Sequence, residues 1–87
     1  MEDYPFLSDA ISRVIVRLRE NAGLSKRKLS LISGIDRVYI LQVEQGKFRP
    51  TVNFMFCLAK GLGVEPTVIF EMINEEQKKL EAGENKN

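Results

Sequence analysis

Apolar residues in this chain recur at intervals of three and four rather than alternating, a spacing that predicts helices throughout. Ile11, Val14, Ile15, Leu18 and Ala22 mark the first, opening at Leu7 and Ser8 and closing at Gly23. Ser25 is an N-cap for a second helix that reaches Ser33, with Gly34 just beyond it. Asp36 caps a third, Arg37 to Gln45, stopped by Gly46. After the loop Lys47-Phe48-Arg49-Pro50, Thr51 caps a fourth from about Val52 to Leu62, with Gly63 behind it. Pro66 suits the first turn of a fifth, expected to run to about Leu80 before the chain frays from Ala82 onward. The expected organisation is an N-terminal arm (1–6), one helical domain (7–82) and a frayed tail (83–87). The fold class is all-α, with five short helices.

Size and composition narrow the function. Eighty-seven residues with 44% hydrophobic content build one small core, and one domain without a second is expected. No apolar run approaches a membrane span and the N-terminus is acidic, so the expectation is a cytoplasmic protein without a signal peptide. With no histidine and a single cysteine, Cys57, there is no residue set for a zinc site or a His-based triad. Cys57 lies in an apolar run and reads as a buried hydrophobe rather than a reactive thiol. Neither an enzyme, a metal, a cofactor nor a small-molecule ligand is expected.

The net charge of +1 hides a segregation. From Arg13 to Arg49 there are nine Lys or Arg against three acids, a balance of +6; the remainder holds four bases and nine acids, a balance of −5. Such a chain has a side suited to a polyanion and another with a different task. Only Gly34-Ile35-Asp36 separate the second and third helices, and two helices joined by a short glycine-bearing turn make a helix-turn-helix unit. Spacing alone leaves open whether that unit binds DNA or serves as a protein-interaction module, antitoxin-like or adaptor.

From Leu18 to Phe70 the residues carry a further signal: Leu18-Arg19-Glu20, Gly23-Leu24-Ser25, Leu29, Gly34-Ile35, Tyr39-Ile40, Val43 to Lys47, Pro50-Thr51, Leu58-Ala59-Lys60 and Leu62-Gly63-Val64. In that order the chain resembles the phage repressor and Cro type of helix-turn-helix protein, the XRE family. The run Val68 to Ile73, with Asp36 to Ile40, is similar to the small controller proteins of restriction-modification systems, and short repressors of phages and mobile elements share these features. The resemblance implies a compact lambda-repressor-like domain that binds an inverted-repeat operator as a homodimer and regulates transcription.

What the resemblance implies for residues follows the docking of those repressors, whose third helix lies in the major groove. Arg37, Val38 and Gln42 take the base-reading positions: Arg37 suits guanine O6 and N7, Gln42 adenine N6 and N7, and Val38 a thymine methyl. Tyr39, Lys47, Arg49 and Asn53 fall where the family holds phosphates, as do Ser25, Lys26 and Arg27 at the start of the second helix. Cations at a helix N-terminus oppose its dipole by about 0.3–1 kcal/mol each, so the run Lys26-Arg27-Lys28 makes sense when a phosphate sits among them. Three successive residues fan through about 200°, so Lys26 is the first candidate, Arg27 the second, and Lys28 a solvated charge. Arg19 and Glu44 match a pair that links the first and third helices, and Ser30 and Ser33 are expected to bond back to carbonyls four residues earlier, preserving a close crossing with the third helix. Ile69 and Phe70 are expected to close the core, leaving Val68, Met72 and Ile73 for a twofold interface. Glu65, Glu71, Glu75 and Glu76 are expected to point away from DNA, where RNA polymerase is a further possible partner.

Overall fold

A computed structural model describes residues 1–85. It contains five helices: α1 (Leu7–Asn21), α2 (Lys26–Ser33), α3 (Arg37–Glu44), α4 (Val52–Leu62) and α5 (Pro66–Asn85). Three starts are fixed by the capping side chains. Ser25 Oγ accepts from the Lys28 amide at 3.0 Å, and Thr51 Oγ1 accepts from the Phe54 amide at 3.0 Å. Asp36 Oδ1 accepts from the amides of Val38 at 2.7 Å and Tyr39 at 3.4 Å. Each cap satisfies amides that the helix cannot, typically stabilising it by about 1 kcal/mol. The turn between α2 and α3 depends on Gly34, whose φ of 74° lies in the left-handed region that residues with a Cβ adopt at a cost.

The core lies where the helices converge. Ile15 from α1, Leu29 from α2, Ile40 from α3, Leu58 from α4 and Ile69 from α5 are its largest fully buried side chains. These are the positions that helical spacing places inward, so burial of one stripe per helix supplies the driving force for packing. α2 crosses α4 closely at Ser33 and Gly61, where a Cβ added to Gly61 would stand 2.8 Å from that of Ser33. Ser33 Oγ donates to the Leu29 carbonyl at 2.6 Å, the back-bond expected of it. Ser30 differs: its hydroxyl donates forward to the Ile35 carbonyl, tying α2 to the turn instead of to its own preceding carbonyl. Ser30 thus serves the turn, and Ser33 the close approach of α2 to α4.

α5 departs from the sequence reading in three ways. It continues to Asn85, through Ala82 and Gly83, rather than ending near Leu80; residues 86–87 of the expected tail lie outside the described residues. Ile73, expected at a twofold interface, is 5% exposed and belongs to the core, whereas Phe70, expected in the core, is 44% exposed. The reason is the stripe that α5 buries. At about 100° per residue Ile69, Ile73, Glu76 and Gln77 share one face, and Phe70 stands about 100° from Ile69. Glu76, expected to point away with the other acids, is buried against α1, where its carboxylate accepts from Arg17 Nη2 at 3.0 Å and lies 3.7 Å from Arg13 Nη1. Gln77 Nε2 donates to the Pro5 carbonyl at 3.0 Å and holds the N-terminal arm.

Candidate nucleic-acid interface

α3 is held by α1 and presents its other side to solvent. Ile40 and Val43 are buried, and the guanidinium of Arg19 grips Glu44 with two bonds, Nε to Oε2 at 2.7 Å and Nη2 to Oε1 at 3.0 Å. Arg19 Nη1 also donates to the Leu24 carbonyl at 2.9 Å, and Ser12 Oγ donates to the Glu44 carbonyl. The hydrogen bond from Arg19 to Glu44 raises the pKa of the guanidinium against the opposing effect of burial, so Arg19 keeps its charge. The C-terminal turn of α3 is thereby fixed in angle and depth.

The outward side of α3 carries Arg37, Val38, Leu41, Gln42 and Gln45; Arg37, Val38, Leu41 and Gln45 are exposed and Gln42 is half-buried. Arg37, Val38 and Leu41 share one open cleft with Ser25, Lys26 and Arg27 at the start of α2. Arg27 and Lys28 are exposed, whereas Lys26 is half-buried with its ammonium 3.9 Å from Glu44 Oε1. Because Arg19 already occupies both oxygens of that carboxylate, the contact to Lys26 is a long third partner that an incoming anion can displace.

The residues assigned to phosphate on the far side of α3 divide into two groups. Lys47 is exposed in the loop after α3, and Asn53 is exposed in the first turn of α4. Asn53 lines a second cleft with Asp36, Tyr39 and Thr51. Tyr39 is half-buried, its ring edge-on to Phe54 at 5.1 Å and Phe48 at 6.3 Å between centroids, which sets the direction of its hydroxyl. Arg49 is drawn elsewhere: it pairs with Asp3 and its Nε donates to Ser8 Oγ at 3.3 Å, so it ties the loop to the N-terminal arm. Sequence reading could not place that contact, which joins residues 41 or more positions apart.

The charge map changes accordingly. Of the nine basic residues between 13 and 49, Arg13 and Arg17 lie on Glu76, Arg19 on Glu44 and Arg49 on Asp3. Lys26, Arg27, Lys28, Arg37 and Lys47 remain around the α2–α3 unit. Cys57 is half-buried rather than buried, in the wall of the second cleft. Among the described residues no helix is long and apolar enough to cross a membrane.

The helix-turn-helix family model matches residues 15–69. An uncharacterized HTH-type transcriptional regulator, y4dJ of Sinorhizobium fredii, is 38% identical over 48 residues, covering 55% of this chain and 62% of that protein. The chain thus spans a little under two thirds of the length of this curated relative. Among solved structures, the wild-type restriction-modification controller protein C.Esp1396I superimposes with a TM-score of 0.75 at 33% identity, over 84% of this chain and 96% of that one. The same protein bound to a 19 base pair DNA duplex gives 0.74 at 34% identity, over 82% and 95%. As a tetramer on its natural 35 base-pair operator it gives 0.75 at 33% identity, over 84% and 96%. Matched over most of its length in sequence and in fold, the chain belongs to the helix-turn-helix family of the XRE type, whose members are DNA-binding transcription regulators.

Proposed function

We propose that this protein binds an inverted-repeat operator as a homodimer and controls transcription in the cytoplasm, in a restriction-modification or mobile-element setting. One observation carries the reading: the solvent side of α3, rigidly seated by Arg19 and Glu44, presents Arg37, Val38 and Gln42 between the cations opening α2 and Lys47. That arrangement fits an α3 lying in the major groove, Arg37, Val38 and Gln42 at base edges, and Ser25, Lys26, Arg27, Tyr39, Lys47 and Asn53 along the flanking phosphates. C.Esp1396I, similar in fold, forms a tetramer in complex with its natural 35 base-pair operator. Two third helices about 34 Å apart would then meet successive major grooves. Phosphate neutralisation supplies most of the affinity and base contacts select the site.

The twofold contact is assigned to the α4–α5 side. Val52 is 66% exposed, Phe56 and Phe70 are also exposed, and Val52 and Phe70 line one apolar groove with Leu7, Pro50 and Met55. Val68 and Met72 lie on the opposite flank of α5, about 160–200° around from Phe70, and Ile73 is used by the core. A second copy is the occupant that suits this face, since a twofold operator needs a twofold protein. Glu65, Glu71 and Glu75 stay exposed and are the residues offered to RNA polymerase when the operator lies upstream of a promoter.

Selection of bound sequences from a random duplex pool tests the whole reading. A recovered palindrome is the expected result, and a pool without enrichment overturns it. Sedimentation then tests the interface: Phe70→Glu should give monomers while Met72→Glu remains dimeric, and the reverse pattern would return the contact to the other flank of α5.

A further inference from the structure

The outward side of α3 carries two apolar residues, Val38 and Leu41, among the polar Arg37, Gln42 and Gln45. With about 100° per residue and Arg37 set at zero, Leu41 falls at about 40°, Gln45 at about 80°, Val38 at about 100° and Gln42 at about 140°. Buried Val43 and Ile40 fall at about 240° and 300°, so the outward axis is near 90°. The N-terminal part of the helix is the part that meets base edges in helix-turn-helix docking. The first two turns of this side carry Val38, 55% exposed, and Leu41, 37% exposed, beside Arg37. Their surroundings are cationic. Both line the cleft that also holds Lys26, Arg27 and Arg37. A protein partner covering this apolar pair would have to desolvate those three charges, whereas DNA neutralises them.

We infer that Leu41 is a further specificity-determining residue, and that Val38 and Leu41 together read the C5-methyl groups of pyrimidines beside the guanine bound by Arg37. The inference rests on the operator-binding reading above. Among the natural bases, thymine's C5-methyl is the apolar group exposed in the major groove, so it is the group that rewards an apolar side chain there. The i, i+3 spacing puts the two Cβ atoms about 5–6 Å apart, between one and two base steps of about 3.4 Å. The two methyls therefore lie on neighbouring base pairs or one pair apart. Because the contact is to the methyl group and not to the hydrogen-bonding edge, 5-methylcytosine is an acceptable substitute where cytosine is not.

Replacing each thymine of the selected half-site by uracil removes one methyl and leaves the pairing edge intact. Two positions next to the guanine should each lose about fourfold in affinity, the size expected for one buried methylene-sized group. Leu41→Ala should make one of these two positions insensitive to uracil, and 5-methylcytosine should restore part of the binding that cytosine loses there. A flat uracil scan with wild-type protein on a selected operator overturns the inference while leaving operator binding intact, and it needs no variant to fold. If Leu41→Ala weakens thymine and uracil duplexes alike, Leu41 is a packing residue and its reading role is overturned. Failure to select any operator overturns the parent reading instead.

Discussion

The α1–α5 side and the α2–α3 side of this domain are built with similar numbers of arginines and lysines, yet they differ in what those charges are free to do. On the α1–α5 side Arg13 and Arg17 converge on Glu76, a carboxylate held in the interface between the two helices. On the α2–α3 side the cations cluster at a helix start and around an exposed helix face, with Glu44 already committed to Arg19. Charge counted along a chain is therefore a poor map of the field around the folded molecule. A basic segment becomes a polyanion-binding surface only where folding leaves its cations without a close, uncommitted acid.

Glu44 and Glu76 offer the sharpest break of this comparison. Glu44→Ala leaves Arg19 buried without its partner and should cost about 3–5 kcal/mol in denaturant unfolding, since an uncompensated buried charge is what makes such losses large. It should also loosen α3. Arg37→Ala comes next: about 1–3 kcal/mol on the operator with relaxed preference at one base pair, and almost no change in stability. Equal losses on operator and random duplex would remove Arg37 from base reading. Glu76→Gln should be milder, under about 1 kcal/mol in the same unfolding experiment, because Arg13 and Arg17 are about half exposed and turn to water when their partner goes.

The features legible from sequence are those decided locally. Ser25, Asp36 and Thr51 announce helix starts because a cap needs only a side-chain oxygen two or three residues ahead of a free amide. Helical spacing likewise marked the stripe of α1 to which buried Ile11, Val14 and Ile15 belong. The exchange between Phe70 and Ile73 was not legible, because the buried stripe of α5 continues through Glu76 and Gln77, which hydropathy assigns to solvent. Their burial is made tolerable by Arg17 and by the Pro5 carbonyl, partners 59 and 72 positions away. Arg49 shows the same limit: its position in the loop suggested phosphate, and its pairing with Asp3 on the distant arm was not legible there. In the candidate site the base-reading set on α3 was expected from the resemblance, but which cations around it remain without a close acid depended on long-range pairing.

Which cations folding leaves facing DNA is read from the salt dependence of binding to random duplex DNA, measured for the wild type beside Lys47→Ala and Arg13→Ala. Lys47 lies in the exposed loop next to α3 and Arg13 on Glu76. The slope of log affinity against log salt should fall by about 1 for Lys47→Ala and stay at the wild-type value for Arg13→Ala. Equal reductions in the two variants, or a change confined to Arg13→Ala, would contradict the division of the molecule into a DNA-facing α2–α3 side and a neutralised α1–α5 side.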